Sequence, residues 1–128
     1  MSDFVSSRIR AFRYAFAGWW YVMRTQRNAW IHATATVLAV VLGLWLGLNL
    51  REWLFIIVAI TMVWEAEFIN TALEVAVDLA SPQQHRLAKI GKDVGAAAVM
   101  IAAGSSAVIG IIIYWPLLWS RLHSLVIK

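Results

Sequence analysis

Apolar residues in this chain come in long blocks separated by short polar interruptions. Eighteen residues without a charge run from Ala33 to Leu50, and the stretch Asn49-Leu50-Arg51-Glu52 then interrupts them. A second block begins at Trp53, is purely apolar for twelve residues up to Trp64, and continues with acidic residues added until Ser81-Pro82. Proline cannot continue a helix and restricts the residue before it, so the block ends there. The third block, Val94 to Leu118, holds twenty-five residues without a charge, with Pro116 expected to stop or kink it near its end. About 20 apolar residues cross a hydrocarbon core about 30 Å thick. The pattern therefore predicts transmembrane helices over 33–50, 53–80 and 94–118, an all-α fold and a single membrane domain over 1–128. Residues 1–30 are different: Arg8, Arg10, Arg13, Arg24 and Arg27 sit among Phe4, Phe12, Tyr14, Phe16, Trp19, Trp20 and Tyr21. Too aromatic for a solvated tail, this segment reads as a helix lying in the membrane interface, with Gly18 marking a bend.

Composition agrees with that reading. At 62% hydrophobic, 14% charged and a mean hydropathy of +0.72, the chain lies far from a soluble domain. Its eight Trp suit a bilayer interface, and no Cys is present, which excludes disulfides and thiolate chemistry. A net charge of +4 suits anionic headgroups or phosphorylated substrates; with no long basic run, nucleic acid is not an expected partner. Arg8, Arg10 and Arg13 interrupt any signal-peptide core. The N-terminal segment and the 83–93 loop carry eight Lys and Arg, against three in the first loop and the C-terminal tail. The positive-inside rule places the richer side, and the N-terminus, in the cytoplasm.

Polar chemistry gathers in one place. On a helix, Glu67, Asn70, Glu74 and Asp78 fall at about 0, −60, −20 and +20°, a single stripe about 80° wide, with Glu65 on the opposite side. Glu67 lies roughly 21 Å and Glu74 roughly 32 Å along the helix from Trp53, which puts Glu67 inside the far edge of the membrane and Glu74 and Asp78 at or beyond it. Carboxylates on one face repel and resist desolvation, so cations must offset them, and His85, Arg86, Lys89 and Lys92 in the following loop are the expected ones. Glu74 is suited to Mg²⁺ and the less hydrated Glu67 to general-base work; a structural ion-pair cluster is the other reading. Three spans cannot by themselves surround Glu67, so an oligomer is expected. No nucleotide-binding glycine loop, zinc motif or internal repeat is present.

The segment Glu67-x-x-Asn70-Thr71-Ala72-x-Glu74-x-x-x-Asp78, followed by Lys92-Asp93, resembles the signature of the prokaryotic diacylglycerol kinase family, small trimeric membrane enzymes that include undecaprenol kinases. Phe12-x-Tyr14-Ala15-Phe16-x-Gly18 and Arg27-Asn28-x-x-Ile31-His32 are similar to the family's interfacial helix and the start of its first span. With Ser81-Pro82, Lys89 and the Gly/Ala-rich third span, the likeness covers nearly the whole chain. It implies transfer of the ATP γ-phosphate to a hydroxyl of a membrane lipid, in a site shared between protomers of a homotrimer in the bacterial cytoplasmic membrane. By the same likeness Glu67 is the catalytic base, Glu74 a metal-binding carboxylate, and Asn70, Lys92 and Asp93 surround the nucleotide phosphates and metal. His85 lies in a loop that reaches ATP, and Tyr14 matches a nucleotide-contacting aromatic. Gln26 departs from the pattern, standing where many members have a second metal-binding Glu; its amide oxygen can ligate Mg²⁺ without adding charge. Glu65 has no counterpart in the pattern, and either pairs with an Arg or His of another helix or protomer or stays neutral. Arg27-Asn28-x-x-Ile31-His32 and Ser81-Pro82 look more like the undecaprenol kinase branch than the diacylglycerol branch. A trimeric scaffold or sensor that binds nucleotide without turnover, silenced by Gln26, is the alternative; a proton or cation pathway is disfavoured because the first and third spans hold no charge.

Overall fold

A computed structural model describes residues 2–83 and 85–126; Gln84 of the loop and Lys128, counted above in the tail's charge, lie outside the described residues. Four helices follow one another: α1 (Ser2–Thr25), α2 (Arg27–Leu46), α3 (Leu50–Ala80) and α4 (Arg86–Val126). The last three are long and apolar enough to cross a membrane.

The connections are short because their residues cap the helices directly. Gly47 ends α2 with φ 72°, a left-handed conformation that glycine adopts at no steric cost, and its N–H reaches the Gly43 carbonyl at 3.0 Å. Two residues later Asn49 starts α3. Its Oδ1 accepts from the N–H groups of Arg51 and Glu52, while Glu52 Oε2 accepts from the Asn49 N–H at 2.7 Å, a reciprocal capping box. The sequence break at 49–52 is thus a helix start rather than a loop.

Three expectations are corrected here. Gly18 does not bend α1, which stays helical to Thr25; the chain turns at Gln26, a single extended residue with φ −100° and ψ 117°. Pro116 neither ends α4 nor separates it from the tail, since the helix continues to Val126. The expected loop over 83–93 is mostly helix, because His85 caps the new helix and the stretch from Arg86 to Val94 holds no proline and a single glycine, Gly91, which a helix tolerates. The Leu87 N–H donates to His85 Nδ1 at 3.2 Å, and Lys89 N–H reaches the His85 carbonyl at 3.1 Å.

α3 is the most enclosed of the three long helices and packs chiefly along α4. Polar side chains tie the bundle at intervals: Ser106 donates to the Ala59 carbonyl and Tyr114 to the Ala39 carbonyl, each at 2.8 Å, and Trp64 Nε1 donates to Thr36 Oγ1 at 3.1 Å. One small buried cluster, Leu48, Ile56 and Tyr114, lies at the end of the bundle near the α2–α3 turn. A second, Val22, Met23 and Ala29, packs the α1–α2 elbow against Ala33, Trp64 and Phe68. Outside these, large apolar side chains such as Leu44, Leu54, Ile69 and Ile111 point outward, as expected of helices solvated by lipid or by further protein. α3 has 31 residues and so runs about 46 Å, well beyond a 30 Å hydrocarbon core, which carries its acidic end towards water.

Candidate active site

The stripe on α3 is graded by burial. Glu67 is 0% exposed, Asn70 and Thr71 are buried, Glu74 is half-buried and Asp78 is exposed. Helical periodicity puts these side chains in line, and the α1–α2 elbow packed against Trp64 and Phe68 covers the membrane-side end. One chain therefore encloses Glu67 unaided, contrary to the expectation that three spans could not. The closing element is the end of α1 and the start of α2, which span counting leaves out.

Each carboxylate has its own partner. His32, on α2, brings Nε2 to 3.5 Å from Glu67 Oε2. Glu74 accepts two amide N–H groups: Gln26 Nε2 donates to Oε2 at 3.1 Å and Asn70 Nδ2 to Oε1 at 3.3 Å. Lys92 Nζ donates to both oxygens of Asp78 at 3.0 Å. The cations at 85–92 were expected to face the whole cluster. Among the described residues only Lys92 does so, and only at Asp78, because the start of α4 lies beside the last turns of α3 and away from Glu67. Glu65 faces outward and forms no ion pair within the chain's described residues, so another helix of the same chain does not supply its partner.

Beyond the stripe, a cleft of about 730 Å³ opens between the end of α3 and the start of α4. Its lining includes Arg86, Lys89 and Lys92 together with Asp78, Asp93 and His85, a mixed charged set at the end of the bundle where α3 gives way to α4. Glu67, Asn70 and Glu74 lie deeper on α3 and do not line it. Tyr14 is 68% exposed on α1, with no hydrogen bond or ring contact joining it to cleft or stripe. The structure thus gathers Gln26, Asn70 and Glu74 in one cluster, and Asp78, Lys92, Asp93 and His85 in an adjoining one, and leaves Tyr14 apart.

Asn70 Oδ1 is buried without a hydrogen-bond partner. It lies against Gly95 of α4, where an added Cβ would collide with it and would come within 2.9 Å of Leu73 Cδ2. Gly95 is therefore the seat that lets Asn70 reach Glu74. Gly95→Ala is expected to lower activity tenfold or more, since overpacking of a close contact costs about 1–3 kcal/mol and the side chain nearest to yielding is Asn70. Gly91→Ala, whose Cβ meets only Val77 Cγ2 at 4.0 Å, is expected to stay within twofold of the parent in the same turnover assay, which serves as the control.

The orphaned Asn70 Oδ1, the Glu74 carboxylate and the Gln26 amide form a hard oxygen set. No group of three His, Cys, Asp or Glu suited to a metal occurs among the described residues. Mg²⁺ is commonly held by one or two carboxylates together with water and substrate phosphates, so this donor set fits it.

Sequence reasoning placed His32 only in the Arg27-to-His32 motif and Gly95 only among the small residues that let helices approach, and gave neither a place at the site. His32 is the only ionisable side chain between Asn28 and Asn49, and a lone polar group in an apolar span was the signal that could have found it.

Three membrane-length helices with a graded carboxylate and amide site at one end define a small helical membrane protein of the polytopic class. The chain belongs to the prokaryotic diacylglycerol kinase family, whose sequence profile matches residues 13–114. It is 38% identical over 107 residues to an undecaprenol kinase of Bacillus subtilis (strain 168), covering 84% of this chain and 87% of that protein. It is 45% identical over 103 residues to a diacylglycerol kinase of Synechocystis, covering 78% of this chain and 58% of that longer protein. A diacylglycerol kinase of Escherichia coli (strain K12) is 33% identical over 108 residues, covering 79% and 85%.

Proposed function

We propose that this protein is an ATP-dependent lipid kinase that transfers the γ-phosphate to the hydroxyl of a membrane lipid, with undecaprenol favoured as acceptor and diacylglycerol second. The observation that carries the proposal is the gradient along one helix, from fully enclosed Glu67 through half-buried Glu74 to the open, charge-lined cleft. A lipid hydroxyl at headgroup depth and a water-soluble nucleotide need sites at those two levels.

In this reading Glu67 takes the proton from the lipid hydroxyl as its oxygen attacks the γ-phosphorus. The bond to the bridging oxygen of ADP breaks, and ADP leaves into the cleft. Phosphoryl transfer depends on positioning and charge neutralisation more than on covalent chemistry. Lys92, Asp93, Asn70 and His85 surround the nucleotide, and Lys92 exchanges Asp78 for phosphate oxygens. Glu74 and Gln26, with Asn70 Oδ1 beside them, would hold Mg²⁺, and that ion would supply neutralisation of the phosphoryl charge. Tyr14, on the outer surface of its own chain, fits a site completed between protomers, for which we take a homotrimer. We take 1–128 as one membrane domain with its spans within α2, α3 and α4; the first ends at Leu46, where Gly47 caps α2, and not at Leu50 as the run of uncharged residues suggested. α1 lies in the interface through Phe12, Phe16 and Trp20, and the N-terminus faces the cytoplasm across the bacterial inner membrane.

Purified protein in detergent or lipid, given labelled ATP with undecaprenol or diacylglycerol separately, is expected to phosphorylate undecaprenol faster. Transfer to neither lipid overturns the kinase reading, and ATP binding without transfer would identify a scaffold. Gln26→Glu adds a charge to the metal set and is expected to lower the Mg²⁺ concentration for half-maximal activity about tenfold. An unchanged Mg²⁺ titration removes Gln26 from that set.

A further inference from the structure

We infer that His32 is the positioning residue of Glu67, donating from Nε2 to Oε2 so that the carboxylate is held in one orientation, with Oε1 left to accept the substrate proton. The inference rests on the reading of Glu67 as the base, and the test below separates the two.

Several observations meet at this contact. The side chains are 11% and 0% exposed, and Nε2 lies 3.5 Å from Oε2. Among the described residues, His32 Nε2 and both Glu67 oxygens have no formed hydrogen bond. Thr71, one turn along α3, gives its hydroxyl to the Glu67 backbone carbonyl at 2.8 Å and is not available to the carboxylate. The imidazole is braced: it stands edge-on to Trp64, with ring centroids 6.3 Å apart at 71°, and Trp64 is itself anchored through Nε1 to Thr36 Oγ1, one turn beyond His32 on α2. Trp19 of α1 stacks on the same indole at 6.2 Å. Three helices thus fix the ring with one nitrogen aimed at the acid.

His32 of α2 is the ionisable side chain paired with the Glu67 carboxylate, and Glu74 stands two turns along the same helix. Glu74 is occupied by Gln26 and Asn70. Among the described residues His32 is therefore the donor within reach. An ionised carboxylate enclosed in apolar surroundings without a donor is costly, and a protonated one cannot act as a base. A separation of 3.5 Å is longer than a formed hydrogen bond of about 2.7–3.2 Å, and catalytic hydrogen bonds in unliganded sites are often long and tighten when substrate fills them.

The test uses the full-length protein in lipid, with kcat and both KM values measured for the preferred lipid and ATP. His32→Leu is expected to lower kcat about 100-fold, with both KM values within about twofold, because the donor acts on the base and not on substrate binding. His32→Gln places an amide N–H at similar reach and is expected to recover at least tenfold over His32→Asn, whose amide falls short. In a Glu67→Gln background, His32→Leu is expected to change the residual rate less than about threefold, since the two act as a unit. An unchanged kcat in His32→Leu, or the full 100-fold loss repeated in the Glu67→Gln background, overturns the inference. Should His32→Leu not fold, as judged by its melting temperature, equal rates for the Gln and Asn variants overturn it. Full activity in Glu67→Gln alone instead removes the base reading, whatever the His32 variants do.

Discussion

Glu67→Gln is expected to abolish most lipid phosphorylation, lowering kcat about 10²–10⁴-fold, the usual contribution of a positioned general base. The substitution keeps the size and shape of a fully enclosed side chain, so the packing of Trp64, Phe68 and the α1–α2 elbow has no reason to change. What is lost is the capacity to take a proton. The KM for ATP is expected to move little, because the charge-lined cleft lies at the other end of the stripe and Glu67 does not line it. Single-turnover transfer of labelled phosphate, with ATP binding measured in parallel, checks both halves. Retained turnover would mean that the lipid hydroxyl loses its proton elsewhere and that the buried His32–Glu67 contact is structural.

The second large effect is expected at Glu74. Glu74→Ala removes the shared acceptor of the Gln26 and Asn70 amides, and with it the contact that draws the α1–α2 junction onto α3. If Glu74 is also the charged ligand of Mg²⁺, several kcal/mol of phosphoryl charge stabilisation go with it, so activity should fall about 10²–10³-fold and the Mg²⁺ requirement should rise. Asp78→Asn provides the contrast. Its partner Lys92 is at the water-facing end, the pair is exposed, and exposed pairs contribute little. A loss of no more than about fivefold, reduced further at high salt, is expected there. Equal losses at Glu74 and Asp78, read from Mg²⁺ titrations of turnover, would contradict the graded site.

Much of this architecture was legible beforehand because helix periodicity and apolar length are local properties. The stripe through Glu67, Asn70, Glu74 and Asp78 follows from the angle per residue, and its order of depth follows from the rise per residue. The breaks at Asn49–Glu52 and Ser81–Pro82 were visible because charges in an apolar run and proline effects are local, whereas the Gly47 cap that ends α2 before Leu50 was not read from them. Local rules also produced the errors. Gly18 and Pro116 look like breakers in isolation, yet α1 and α4 run through them, since one glycine costs a helix only about 1 kcal/mol and the cost of a proline can be met by neighbouring structure. A run of Lys and Arg looked like a loop although 86–93 holds no proline and its one glycine, Gly91, is tolerated as Gly18 is.

By itself, the sequence determined an all-helical chain with three membrane-length segments and one acidic stripe descending from the membrane towards water, because these depend only on the identities and spacing of neighbouring residues. Which group faces which carboxylate was decided by the tertiary structure alone. His32 meets Glu67 from another helix, Gln26 reaches Glu74 across 48 positions of chain, and Gly95 makes room for Asn70 from α4. Helix rotation and crossing set those pairings, and both arise from how whole faces pack, which no single segment carries.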